Sequence, residues 1–194
     1  NHTCFMCQNV LPEWWEAIDL KRQLIKVKKG QKFIEEGTDT NGIYFIQEGL
    51  VKVHKHWDDR EMIVRFAKQN EIVGHRAISS GNTKSPISAT AMMDTVLCFI
   101  TKDFFKSLLL TNNLFAYNLM MFYADELQVS EQKMGNLVHL SVKDRINFGL
   151  SHLIKQFGLN EENRLNIDLT KTDLALYIGS TYETVQRTIA DFEK

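Results

Sequence analysis

The chain has 194 residues, enough for one large domain or two small ones, with 44% hydrophobic and 24% charged residues and a formal net charge of −1. These proportions belong to a folded globular protein and exclude a disordered one, while the charge gives no global sign of a nucleic-acid partner. With no run of about eighteen apolar residues to span a membrane, no basic-then-apolar leader at the start, and three cysteines where a disulfide framework would want an even set, the expectation is a reduced, cytoplasmic protein.

In chain order, the first notable pair is Cys4 and Cys7, in the stretch CFMC. From about residue 23 to 100 the chain is short apolar stretches punctuated by Gly30, Gly37, Gly42, Gly49, Gly74 and Gly81. Between them IYFIQEG, LVKVHKHW, MIVRFA and TVLCFIT are rich in β-branched and aromatic residues at strand length. Many short strands with frequent turns predict an antiparallel barrel or sandwich. Trp57-Asp58-Asp59 reads as a hairpin tip, and His54 and His56 share parity with Lys52, opposite to Val51 and Val53, which predicts that they face water.

Beyond about residue 102 the period becomes helical. From Asn113 to His139 there is one glycine and no proline. Ala116, Met120, Tyr123, Leu127, Ser130, Met134 and Leu137 recur at alternating spacings of four and three, a heptad seam. Leu119 and Phe122 lie off it, so the helix has a second apolar face. One face suits its own domain and the other a twin copy of the chain. Ile146 to Phe157 is a further amphipathic helix, with Ile146, Leu150, Leu153, Ile154 and Phe157 on one side; GLNEEN is a loop and RLNIDL a short strand or extended lead-in.

The ending, TKTDLALYIGSTYETVQRTIADFEK, predicts two helices and a tight turn. Thr170 is an N-cap with Asp173 three residues later. Leu174 and Tyr177 are expected inside, with Ala175 small where helices cross. Gly179 supplies the left-handed turn, and Ser180 or Thr181 caps a second helix burying Val185, Ile189 and Phe192. This is the helix-turn-helix order, in which the start of the second helix reaches base edges in the major groove. Arg187 can donate twice to guanine, Glu183 can accept from cytosine, and Gln186 can pair with adenine. The hydroxyls of Thr170, Ser180, Thr181 and Thr184 can bond phosphate oxygens.

Taken together, KKGQKFIEEGTDTNGIYFIQEGLVKVH and LTKTDLALYIGSTYETVQRTI resemble the Crp/Fnr family of bacterial transcription regulators. The resemblance covers nearly the whole chain. It implies an α+β protein: a cyclic-nucleotide-binding-like, jelly-roll-like antiparallel β-roll over residues 1–112, a dimerisation helix over 113–139 and a winged helix-turn-helix domain over 140–194. The β-wing of the family is not contained in these residues. Double-stranded DNA and a second copy of the chain are the implied partners, with RNA polymerase a further candidate. Glu183 and Arg187 take the base-reading places, while Tyr182 stands where members differ, leaving the preference at that step open.

Cyclic-AMP-binding members carry Gly-Glu and then an Arg-Ser pair. Here Gly74 is followed by His75 and Arg76, and the Arg-Ser place falls at or near Ser85-Pro86. A neutral serine cannot replace a charge-assisted bond to a cyclic phosphate, so cyclic AMP is not the expected ligand. Other members hold an iron–sulfur cluster on cysteines, and Cys98 falls where they place a distant ligand. A four-iron cluster normally takes four thiolates; Cys4, Cys7 and Cys98 are three, and free thiols are the favoured reading. Haem is a further candidate cofactor, with His2, His54, His56, His75 or a methionine as ligand. The rival class is a cupin-like metal enzyme or small-molecule-binding jelly roll, built on His54, His56 and Glu61, but it leaves the last two helices without a role.

Overall fold

The computed structural model describes residues 4–78 and 84–192. They divide into two compact units: Asn1–Asp58 with Val64–Asp125, and Asp59–Ile63 with Glu126–Lys194.

The first unit is an antiparallel roll with helices on its outside. Its elements are α1 (Phe5–Asn9), a 3-10 turn (Pro12–Trp14), α2 (Trp15–Lys21), β1 (Gln23–Val27), β2 (Lys32–Ile34), β3 (Gly42–Glu48), β4 (Leu50–Trp57), β5 (Arg60–Lys68) and β6 (Ile72–Val73). A 3-10 turn (His75–Ala77), β7 (Ser88–Ala91), β8 (Thr95–Thr101) and α3 (Lys102–Thr111) follow. Two four-stranded sheets result, in the orders β1-β8-β3-β6 and β2-β7-β4-β5. Of the glycines expected at turns, Gly30, Gly37, Gly49 and Gly74 take positive φ, Gly42 instead opens β3, and Gly81 lies outside the described residues. Gly49, between β3 and β4, holds φ at +113°, and a Cβ there would meet the Thr95 side chain at 2.3 Å, so only glycine fits.

Burial explains why β3 and β8 read as near-continuous apolar runs. Ile46, Val73 and Leu97 join Val27, Val51, Val53 and Ala89 in a core between the sheets. Ile43, Phe45, Cys98 and Ile100 point the other way, into a second core with Met6, Ile18, Phe105, Leu108, Phe115 and Leu119 from the helices. A sheet covered on both faces has no polar alternation to show.

The expected facing of the paired histidines holds for one of them. His56 is exposed, but His54 is buried, its Nε2 2.9 Å from Thr90 Oγ1. The segment after β2 covers that side: Glu36 N–H donates to Ser88 Oγ, and the Glu36 carboxylate accepts from His56 N–H. Strand parity places a residue on a face, but it cannot tell that a loop lies over that face.

The long helix α4 (Asn113–His139) runs through both units. Asn112, fully buried, starts it by accepting from Phe115 N–H. Leu119 and Phe122 pack into the roll. Met120, Leu127, Met134 and Val138 stay exposed along one stripe. Among the described residues no helix is long and apolar enough to cross a membrane.

In the second unit α5 (Val142–Phe157), α6 (Lys171–Ile178) and α7 (Tyr182–Phe192) follow. Between α5 and α6 RLNIDL forms no strand and is a lead-in to α6, with a single bridge of Leu165 to Leu159.

Candidate nucleic-acid interface

Three helix starts in the second unit use one device, a short hydroxyl side chain accepting from the N–H three residues on. Ser141 accepts from Asp144, Thr170 from Asp173 and Thr181 from Thr184. At the first two, the hydroxyl also donates to the aspartate, at 2.6 and 2.7 Å; Thr181 donates to Thr184 Oγ1 at 3.0 Å. The hydroxyl protons of Thr170 and Thr181 are thereby committed to holding helix ends. Of the two residues expected at the start of α7, Thr181 is the cap.

Gly179 ends α6 at φ 71° and ψ 48°, left-handed as the pattern requires. The two helices then share a small core of Leu174, Ala175, Ile178 and Val185. Phe192 departs from expectation: it is 40% exposed, with Lys143 Nζ 5.3 Å from its ring centre. The spacing from Val185 puts it on the inner side, where Lys143 of α5 covers its ring only in part.

Two residues that the sequence did not single out set the pose of this hairpin. Gly149 lies mid-helix in α5, and a Cβ there would meet Ile178 Cδ1 at 2.3 Å, so α6 crosses α5 at this glycine. An isolated glycine inside a helical pattern is the available signal. Arg145 donates to Leu137 O at 3.2 Å and to Gly179 O at 3.4 Å. A cation in the first turns of a helix opposes the macrodipole, which marks it as held by something else.

The outward face of α7 carries Tyr182, Glu183, Gln186 and Arg187, all exposed, with Thr184 half-buried. Ser180, in the turn, is half-buried. Among the described residues, no ion pair or side-chain hydrogen bond engages Glu183, Gln186 or Arg187. A carboxylate, an amide and a guanidinium are presented together at the start of one helix. Thr170 lies apart from them, at the start of α6.

Residues 137–194 match the family described as a Crp-like helix-turn-helix domain, and residues 24–112 match the cyclic nucleotide-binding domain family. The chain is 26% identical over 187 residues to the anaerobic regulatory protein of Bacillus subtilis, covering 95% of this chain and 77% of that one. It is 24% identical over 188 residues to the CRP-like cAMP-activated global transcriptional regulator of Mycobacterium tuberculosis, covering 95% and 84%. The chain belongs to the Crp/Fnr family of transcription regulators. The fold agrees: the structure of the c-di-GMP-responsive global regulator CLP of Xanthomonas campestris superposes with a TM-score of 0.77 at 18% identity, covering 92% of this chain and 89% of that one. Crp/Fnr members are regulators and not enzymes, which removes the cupin-like alternative. Among the described residues no three of His, Cys, Asp and Glu are posed to share one metal ion.

At the place where the sequence suggests an effector pocket, Gly74 takes a left-handed turn at φ 88° and His75 is buried. The His75 ring stands edge-on to Phe122 and Tyr123, with centroids 5.1 and 5.3 Å away, and its carbonyl accepts from Tyr123 Oη at 2.8 Å. Burial, with the Arg65 and Arg76 charges nearby, holds His75 well below the ordinary histidine range, so the ring is neutral. Arg76 is half-buried. Ser85 is buried; its hydroxyl donates to Ile87 O at 2.7 Å and its N–H to Thr38 O. The four expected effector residues therefore do not form one donor set: His75 faces α4, while Ser85 closes a turn of its own.

The three cysteines do come together. α1 lies against the outer face of the first sheet, where Cys98 points, and Cys4, Cys7 and Cys98 are all buried. They are free thiols, with Cys4 Sγ 3.6 Å from Cys7 Sγ. The Cys4 thiol donates to Cys7 Sγ, and its bonds with Cys7 and then Cys98 shift it below the ordinary thiol range. Cys7 and Cys98 are pushed above the thiol range, first by their bonds to Cys4 and then by burial. With three sulfurs, no posed trio and no fourth donor among the described residues, the arrangement does not fit a four-thiolate cluster. For haem, His2 lies outside the described residues. His54 and His75 are buried and engaged, and His56 stands on the hairpin exposed.

Proposed function

We propose that this Crp/Fnr regulator acts as a homodimer that reads double-stranded DNA with the start of α7. The observation that carries this reading is the exposed trio Glu183, Gln186 and Arg187 beside the Thr181 cap, on the helix that follows the Gly179 turn to which Arg145 donates. A bidentate Arg187–guanine contact and a Glu183–cytosine contact are what this chemistry supports. Ser180, Thr184 and Tyr182 flank the trio and contact the backbone or an adjoining base. Thr170 acts at the start of α6 as a cap first.

The stripe of Met120, Leu127 and Met134 on α4 supports pairing through residues 113–139: three large apolar seam side chains, each more than half exposed, recur seven apart, with exposed Val138 beside them. A twofold dimer presents two copies of α7 to half-sites about 34 Å apart. Domains at 1–112, 113–139 and 140–194 then divide sensing, pairing and reading, and a signal at the roll shifts the population of groove-fitting poses. The site of action is the cytoplasm, beside RNA polymerase at promoters. The neutral, enclosed His75 and the self-bonded Ser85 support an effector other than cyclic AMP.

The test is selection of bound duplexes from a randomised library by the purified chain. Enrichment of an inverted repeat with half-sites one helical turn apart supports the reading. A protein that retains no duplex, or enriches no sequence, refutes it.

A further inference from the structure

Behind α4, in the unit that carries the helix-turn-helix, lies a cavity of about 290 Å³ walled by α4, α5 and α6. Its polar wall includes Lys133, Asn136, Arg145 and His152, and its apolar wall includes Phe148 and Tyr177. The volume is at the lower end of small-molecule sites. No carboxylate is among its lining residues, although two fixed cations are.

We propose that this cavity binds a small aromatic carboxylate.

His152 on the same wall is held below the ordinary histidine range by burial first and then by the Lys133 and Lys155 charges. Lys133 Nζ lies 3.9 Å over the Tyr177 ring and donates to Ile63 O at 2.9 Å. A carboxylate at this place accepts from Lys133, in competition with that carbonyl, and its ring lies along Phe148 and Tyr177. The Asn136 amide, nearly buried, is a further donor on the same wall.

Position argues against a second copy of the chain as the occupant. Asn136 is two residues beyond Met134, about 200° round the helix, so the cavity opens on the side of α4 away from the apolar stripe. Position also gives the cavity a consequence. Tyr177 and Ile178, both in its wall, are the last residues of α6 before the Gly179 turn. A ligand here bears on the pose of α7. That last step rests on the DNA-reading proposal; the binding itself does not.

Binding and titration are coupled in a defined direction. The groups acting on His152 or lining the cavity with it are Lys133 from α4, Arg145 and Lys155 from α5, and the Tyr177 phenol from α6. An anion among them raises the His152 pKa, so it binds more tightly as pH falls through the raised value.

The experiment titrates the full chain with 1-naphthoate and, separately, with uncharged 1-naphthamide, by calorimetry and by the His152 ring resonances. Expected are one saturable naphthoate site per chain, an upward shift of the His152 pKa, and affinity for the amide weaker by about tenfold or more. Lys133→Met should weaken naphthoate by about the same factor. Gln132→Trp, at an exposed rim position, should block the site while the melting temperature is kept. No saturable binding, equal affinity for acid and amide, or full affinity in the folded Gln132→Trp chain overturns the proposal. Duplex binding measured without naphthoate reports on the DNA reading separately: its loss alongside intact naphthoate binding would count against that reading and not against the cavity.

Discussion

Arg145 in α5 donates a hydrogen bond at 3.4 Å to the carbonyl oxygen of Gly179, the residue that turns the chain from α6 to α7. The same guanidinium donates to Leu137 O, so one side chain ties the end of α4 to the reading hairpin. Arg145→Met keeps the stem and removes both bonds. The expected cost is about 1–3 kcal/mol, because bonds to charged donors exceed neutral ones but one of these is exposed. In a chain of this size each kcal/mol lowers the melting temperature by about 2–4 °C. An unchanged melt, followed by circular dichroism, would show that the bonds do not hold the turn.

Met134 is 62% exposed at the centre of the α4 stripe. Met134→Asp places a charge where a dry seam is proposed, and Ser130→Lys does the same one turn earlier. Each variant should elute and scatter light as a monomer at concentrations where the parent is a dimer. A variant that remains dimeric would move the interface elsewhere.

The thiol cluster makes an ordered prediction. Within the cluster Cys4 is shifted down, first by its bond to Cys7 and then by that to Cys98, while Cys7 and Cys98 are shifted up. Thiolates are the reactive species. Iodoacetamide at neutral pH, read by peptide mass spectrometry, should modify Cys4 before the other two, slowly because all three are buried. Simultaneous labelling of all three at the unfolded rate would mean that α1 does not dock on the sheet.

His75 is neutral in the folded chain because burial, Arg65 and Arg76 all disfavour its charge. The unfolded chain takes up this proton near pH 6.5. A folded pKa below the unfolded one means that the unfolded state binds more protons in the interval between them. Stability is therefore full above about pH 6.5 and declines as pH falls below it. His152, lowered in the same sense, adds to the slope. Urea unfolding at pH 7.5 and 5.5 should show the decline, and His75→Phe should flatten part of it; an equal slope in that variant would remove His75 as a cause.

Much of this architecture could be read from local pattern. The glycine-punctuated strands, the heptad of α4 and the Thr170–Gly179–Thr181 hairpin are each specified within a few residues of chain. What could not be read depends on distant elements. His54 is buried beside Thr90, and its strand neighbour Ser88 is bonded by Glu36 from a distant segment. The meeting of Cys4 and Cys7 with Cys98 requires α1 to dock on the back of β8. Arg145 and Gly149 carry only weak local signals, and their partners are fixed once α6 is laid across α5. At the reading face the residue types are legible, because exposed side chains are set by their own helix; the Thr170 and Thr181 hydroxyls are drawn to capping by the turns that follow them.

The account turns on Arg187 touching a base edge. Fluorescence anisotropy with the selected duplex should show Arg187→Ala binding more weakly by about 1–3 kcal/mol, with preference relaxed at one base pair of each half-site and the melting temperature unchanged. Affinity and preference both equal to the parent would contradict it.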